Sequence, residues 1–465
     1  MKRDRLTLAL IVLIYLSVAT LYAVKTPDWQ VPDEPAHYNY IRQLATEGQW
    51  PVLQPGDYDQ SYLARLTGER FPPELSLQAV EYEDHQPPLY YLLATPVYLL
   101  FDGALVPLRM FSVVLGAGIV LLAYAVVAEV FPQQPRIALG TAAFVAFLPQ
   151  HVAMMAGVNN DSLAELWIGL TLWLAIRQFQ SCAVPGGRER RDGWLSSVIA
   201  RSVFLRRSNL QAAVVRLGVV LGLGLVTKTT CLPIAAALAV TLLTVWWRDG
   251  DGNWKGLLRT LALTFGPALI IAAPWWMRNL SLYGGLDLYG LANHDAVVLG
   301  QPRTLQWIQE KGLGAWLERG LTFTFQSFWG QFGWMGVLMP TWLYRALALW
   351  SGVLAGGVLA WRCQRRENKG RDAALTLMVM TLVFTLLAYG YYNRTFVQHQ
   401  GRYLFPALIP LALGTALSSE ALLNVLYNRV RCPERLRPLA FAIPYLAMVA
   451  LDLYALWRLI LPALT

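Results

Sequence analysis

The chain has 465 residues, 56% of them hydrophobic and 14% charged, with a mean hydropathy of +0.41. An ordinary soluble domain is roughly 45–50% apolar and about 25% charged, so this composition excludes one and describes an integral membrane protein. The net charge of +9 does not indicate nucleic acid, because the basic residues cluster between apolar runs. Cys182, Cys231, Cys363 and Cys432 show neither metal-ligand spacing nor a pairing pattern, which argues against thiolate-metal and disulfide chemistry.

The first apolar run, Leu6–Val24, follows Lys2-Arg3-Asp4-Arg5. It is longer than the apolar part of a signal peptide and no small-x-small site closes it, so an uncleaved anchor with a cytoplasmic N-terminus is expected. A polar stretch from Lys25 to about Pro88 comes next. Its aromatic residues, among them Trp29, Tyr38, Tyr58 and Tyr82, predict an ordered loop resting on the membrane surface.

Leu89–Phe101 contains Pro96 and is too short to cross a ~30 Å hydrocarbon core, so an interfacial or re-entrant helix is predicted. Spans are then predicted near 108–131, 136–155, 162–180, 213–229, 231–247, 258–277, 341–361, 373–391, 403–425 and 439–460. With the anchor this makes about eleven transmembrane helices in one all-α unit covering 1–465. A first extracytoplasmic loop, 25–107, carries juxtamembrane helices, and a second large extracytoplasmic segment spans 278–340. This topology puts the N-terminus, Arg136 and the basic runs 188–207, 248–259, 362–371 and 429–437 in the cytoplasm. Those segments hold more than half of the 38 Lys and Arg residues, as the positive-inside rule requires. The Gly- and Arg-rich segment near 185–210 reads as a solvated cytoplasmic linker.

Polar residues that hydropathy does not explain gather on the outer face. Asp33 and Glu34 precede Pro35, which suits the first turn of a helix, and His37 follows one turn on. Free N–H groups and the helix dipole keep a carboxylate ionised there, ready to take a proton or hold a cation; capping the helix is the plain structural alternative. Asp84 and His85 close the first loop, and Asn160-Asp161 open the fourth span. Lys228, Arg278 and Arg402 stand at helix ends. Arg402 lies in Gln398-His399-Gln400-Gly401-Arg402-Tyr403. Carboxylates and cations together suit a hydroxyl to be deprotonated and a phosphate to be held. The structural alternatives are a cap for Asp161, snorkelling for the three cations, and a solvated loop position for Glu83.

Taken in order, these stretches resemble the GT-C-fold glycosyltransferases that use polyprenyl-phosphate sugars, in the protein O-mannosyltransferase and aminoarabinose transferase branch. Asp33-Glu34 is similar to the acidic pair of that fold's first loop. His85-Gln86-Pro87-Pro88-Leu89 is similar to its His/Lys-Pro-Pro-Leu motif, with Gln86 as a departure that puts the position's phosphate role in question. Leu108-Arg109, Asn160-Asp161-Ser162, Gly224 to Lys228 and Pro274 to Asn279 extend the match. Pro32 to His37 together with Gln400 to Tyr403 resembles a poorly characterised bacterial subgroup.

The resemblance implies an inverting transferase at the outer leaflet of a bacterial inner membrane, acting on a polyprenyl-phosphate-linked sugar and a protein, lipid or glycan acceptor. Asp33 would be the base, Glu34 its support or a cation holder, and Asp161 a further catalytic residue. Lys228, Arg278 and Arg402 would hold the donor phosphate, with His37, Asp84, His85 and Asn160 as further candidates. The resemblance leaves the cofactor open between none and a divalent cation. The chain stops at Thr465, so acceptor recognition is expected to rest on the outer loops or a partner. A lipid or glycan transporter would instead need ionisable groups at mid-membrane and related halves. A non-catalytic envelope scaffold would leave the outer carboxylates replaceable.

Overall fold

The computed structural model describes residues 2–183, 204–249, 253–364, 369–430, 433 and 436–465. Most of the linker expected near 185–210, and parts of the other basic segments, lie outside them. The chain starts with α1 (Lys2–Lys25). Three short helices then belong to the first loop and its edge: α2 (Glu34–Thr46), α3 (Gln60–Gly68) and α4 (Leu89–Leu100). The bundle continues through α5 (Leu105–Val130), α6 (Pro135–Phe147), α7 (Pro149–Met155), α8 (Asp161–Ala183), α9 (Phe204–Leu225), α10 (Leu232–Asp249) and α11 (Trp254–Tyr283).

A second loop region holds α12 (Leu291–Val297), α13 (Thr304–Lys311), α14 (Leu313–Trp329) and a small hairpin of β1 (Gln331–Phe332) and β2 (Val337–Leu338). Four long elements finish the chain: α15 (Thr341–Gln364), α16 (Lys369–Tyr392), α17 (Leu408–Val430) and α18 (Arg437–Tyr454), the last continuing through a wider-wound turn to Leu464.

Every segment expected to span is helical, but the count of eleven is not confirmed. Among the described residues, eight helices are long and apolar enough to cross a membrane, or nine if α6 and α7 form one bent span. The segment predicted as a single span over 136–155 is bent by 63° between Phe147 and Pro149. Pro149 supplies no N–H, and it holds Leu148 in an extended conformation that interrupts the helix. Of the other two, α8 carries Glu165, Arg177 and Gln178, and α9 opens on Arg206-Arg207-Ser208-Asn209. α8 falls short on apolarity, and the apolar part of α9, Gln211–Leu225, falls short on length, although the two helices, at 23 and 22 residues, would reach about 33–34 Å. α4, with 12 residues, is not among the eight, in keeping with an interfacial helix.

α5 is the centre of one half, packed against α1, α6 and α8. α9 lies along α11, α10 along α16, and α17 against both α6 and α15. A Cβ on Gly218 would meet the Thr264 carbonyl, so α9 and α11 touch backbone to backbone, a contact that only small residues allow. The loops fold on a small core of their own. Leu53, Tyr58, Leu66, Val80 and Tyr82 of the first loop pack with Val297 and Val298 of the second and with Phe396. That core covers one end of the bundle, where α1, α9, α11 and α16 finish and α5, α8, α10 and α17 begin.

Candidate active site

The site is built on how the chain enters α2. Asp33 has φ 68°, ψ −5°, a left-handed conformation that Asp tolerates better than most residues. Its side chain makes no capping bond to α2. One carboxylate oxygen accepts from the Tyr82 hydroxyl (2.8 Å) and the other from the Arg402 guanidinium (2.6 Å). Arg402 lies in the tight turn Gly401–Ala407 that leads into α17, and its Nε donates to Gln400 at 2.7 Å. Burial would raise the Asp33 carboxyl, but the Arg402 charge and the Tyr82 hydrogen bond outweigh it and hold Asp33 below the usual carboxylate range.

Glu34 points the other way. It is fully buried and bound at both oxygens by Arg109 of α5, at 2.7 and 2.6 Å, and it also accepts from the backbone N–H groups of Trp29 and Val158. Arg109 uses its remaining donors on the carbonyls of Ala23, Thr26 and Pro27. Glu34 therefore ties α1, α2, α5 and the approach to α8 together, and its carboxylate is committed to that pair.

Asp161, the first residue of α8, pairs with Lys228 at 2.7 Å, where Lys228 stands extended in the break between α9 and α10. Each keeps part of its surface, 22% for Asp161 and 14% for Lys228. His37 is buried with Nδ1 2.8 Å from the Tyr91 hydroxyl. Burial first, and then the charge of Lys228, push it down to about 3, so the imidazole is neutral. Asn160 donates to Tyr91 and to Gln86, completing a polar seam between α2, α4 and α8.

His85 bonds the Tyr82 carbonyl at 3.1 Å and lies against His294, 4.7 Å between ring centres; burial, then His294, hold it well below the usual histidine range. Asp84 accepts from Gln43, and burial keeps its carboxyl well above the usual range. Arg278 lies over the Trp275 ring and donates to the Pro51 carbonyl, pinning the first loop to α11.

A cleft of about 190 Å³ opens at this end of the bundle. Of the ten residues singled out by sequence, Asp33 and Arg402 form part of its wall. Glu83, read from sequence as a solvated loop residue, is there too, with Tyr82, Tyr392 and Gln400. Lys228 is near enough to act electrostatically on Glu83 and His37, and Asp161 on His37. Among the described residues, no three His, Cys, Asp or Glu side chains come within reach of one ion. The sequence signal for Glu83 was its place in the Glu81–His85 run. Tyr82 and Tyr392 carried none.

The family model for dolichyl-phosphate-mannose-protein mannosyltransferases matches residues 85–186, from His85 through α8. Among solved structures, the protein is similar to ArnT from Cupriavidus metallidurans bound to undecaprenyl phosphate, with a TM-score of 0.52 and 15% identity over 98% of this chain and 73% of that one. It is also similar to the oligosaccharyltransferase AglB from Archaeoglobus fulgidus, in complex with an inhibitory peptide and a dolichol-phosphate, with a TM-score of 0.52 and 16% identity. That match covers 96% of this chain and 55% of AglB, so the chain spans about half of the archaeal protein. No curated protein sequence matches. The fold is that of the GT-C membrane glycosyltransferases, as the resemblance implied.

Proposed function

We propose that the protein is a membrane glycosyltransferase that moves a sugar from a polyprenyl-phosphate donor to an acceptor hydroxyl, with inversion at the anomeric carbon. The reaction takes place at the extracytoplasmic face of a bacterial inner membrane. The observation that carries this reading is the Asp33–Arg402 pair in a polar, aromatic cleft at the loop-covered end of the bundle. Support comes from the likeness in fold to ArnT, whose structure holds undecaprenyl phosphate.

In this reaction the acceptor oxygen attacks the anomeric carbon from the face opposite the phosphate, and the bond to the phosphate oxygen breaks. Arg402 and Lys228 hold the phosphate as its charge grows, the kind of electrostatic stabilisation that is often a large catalytic term. Arg402 is engaged by Asp33 at 2.6 Å, so the guanidinium keeps that pair and shares its donors between Asp33 and the seated phosphate. Asp161 positions Lys228, while Glu34 and Arg278 are structural.

Binding of undecaprenyl phosphate to the purified protein tests this reading. Arg402→Gln is expected to weaken binding at least tenfold, whereas Asp33→Asn, which frees Arg402, binds as well as wild type or better. Unchanged binding by Arg402→Gln would remove the phosphate site from this cleft.

A further inference from the structure

Asp33 is poorly suited to take a proton while both its oxygens are engaged. Glu83 stands in the same cleft wall, in the turn that also carries Tyr82, and its Oε2 is buried without a hydrogen-bond partner. The charged and titratable groups around it come from several elements: Asp33 before α2, Tyr91 on α4, Lys228 at the α9–α10 break, His294 on α12 and Tyr392 at the end of α16. Gln86, in its own turn, is the neutral neighbour that favours the anion.

We propose that Glu83 is the general base of the transfer step and that Asp33 stays an anion throughout. The inference rests on the transferase reading above. As the acceptor oxygen bonds to the anomeric carbon, its proton passes to the Glu83 carboxylate. The carbon–oxygen bond to the donor phosphate breaks and the phosphate leaves with the electron pair. No further reactant is needed. Asp33 faces the positive charge that grows on the sugar ring.

The electrostatics agree with this division. Burial, and then the negative charge of Asp33, raise Glu83 to about 7, while Asp33 is held low. Where two carboxylates in one site are pushed apart in this way, the higher one handles the proton. A base is also most effective when its pKa lies near the working pH.

The test measures transfer from a panel of tritiated undecaprenyl-phosphate sugars (mannose, glucose, galactose and aminoarabinose) in membranes, across pH 5 to 9. Wild type is expected to lose rate as pH falls through about 7, because the base must be ionised. Glu83→Gln should lower the rate roughly 10²–10⁴-fold, as loss of a general base does, and abolish that limb while still binding undecaprenyl phosphate. Glu83→Asp, which keeps a carboxylate, should retain partial activity and the limb. In the residual activity of Asp33→Asn the limb should move to lower pH, since a charge that raised Glu83 is gone. A Glu83→Gln protein with wild-type rate and limb would overturn the inference and leave the transferase reading standing. A wild type that consumes no donor on the panel would overturn the transferase reading and the inference with it.

Discussion

Asp33 and Glu34 are neighbours in sequence and do opposite work. The left-handed turn at Asp33 aims its carboxylate at Tyr82 and Arg402, and the next residue enters the helix facing Arg109. The sequence marked the pair as chemically important but could not divide it, because Arg109 is 75 residues away from Glu34. Glu34→Gln or Arg109→Met leaves one charge buried without its partner, at a cost of about 3–5 kcal/mol. Either variant should therefore unfold at clearly lower temperature in detergent than Asp33→Asn, because the Asp33–Arg402 pair lines the cleft and keeps some contact with water whereas Glu34–Arg109 has none. Equal unfolding temperatures for all three would contradict the structural role given to Glu34. Glu83 escaped the sequence reading for a related reason. Nothing in Glu81-Tyr82-Glu83-Asp84 says which carboxylate the fold will bury, and which will face a cavity closed by residues some 300 positions later.

The helices were legible as elements because a long apolar run has few other solutions in a bilayer. α4 was legible by its shortness and by Pro96. What periodicity did not show was the state of two junctions. The break between α6 and α7 is written in Leu148-Pro149, but a hydropathy window averages over it. The other junction is the turn that delivers Arg402. At Gly401 a Cβ would meet the Phe328 N–H nitrogen and the Thr324 carbonyl of α14, and the Gly401 N–H donates to Ser327 at 2.7 Å. Glycine therefore lets this turn dock against α14 and sets where Arg402 points. Gly401→Ala should push the turn off α14 and reduce undecaprenyl phosphate binding about as much as Arg402→Gln does, while the protein still inserts and purifies. Gly401→Ala binding like wild type would show that the turn can shift without moving Arg402.

Across the whole molecule, the residues of the site come from α2, the first loop, the start of α8, the α9–α10 break and the turn before α17, all at one end of the bundle. The alternation of spans and the bias of basic residues made this convergence legible in outline. The cleft itself was not legible, because its walls join the first loop, the second loop and the segment before α17. The proposed orientation has its own check. With Cys182, Cys363 and Cys432 replaced by serine, and Cys231 buried, a cysteine placed at exposed Glu74 should react with a membrane-impermeant maleimide on intact cells. One placed at exposed Lys255 should react only after permeabilisation. The reverse pattern would invert the protein in the membrane and move the site to the cytoplasm.

The central claim is that the cleft around Asp33 transfers a sugar from a polyprenyl phosphate. Its most direct test is release of label from the tritiated donor panel by wild type and Asp33→Asn at matched expression. Wild type is expected to consume one donor and Asp33→Asn to lose roughly 10²–10³-fold in rate, on the scale of removing one electrostatic stabiliser, with undecaprenyl phosphate binding intact. Transfer by Asp33→Asn at the wild-type rate would contradict it.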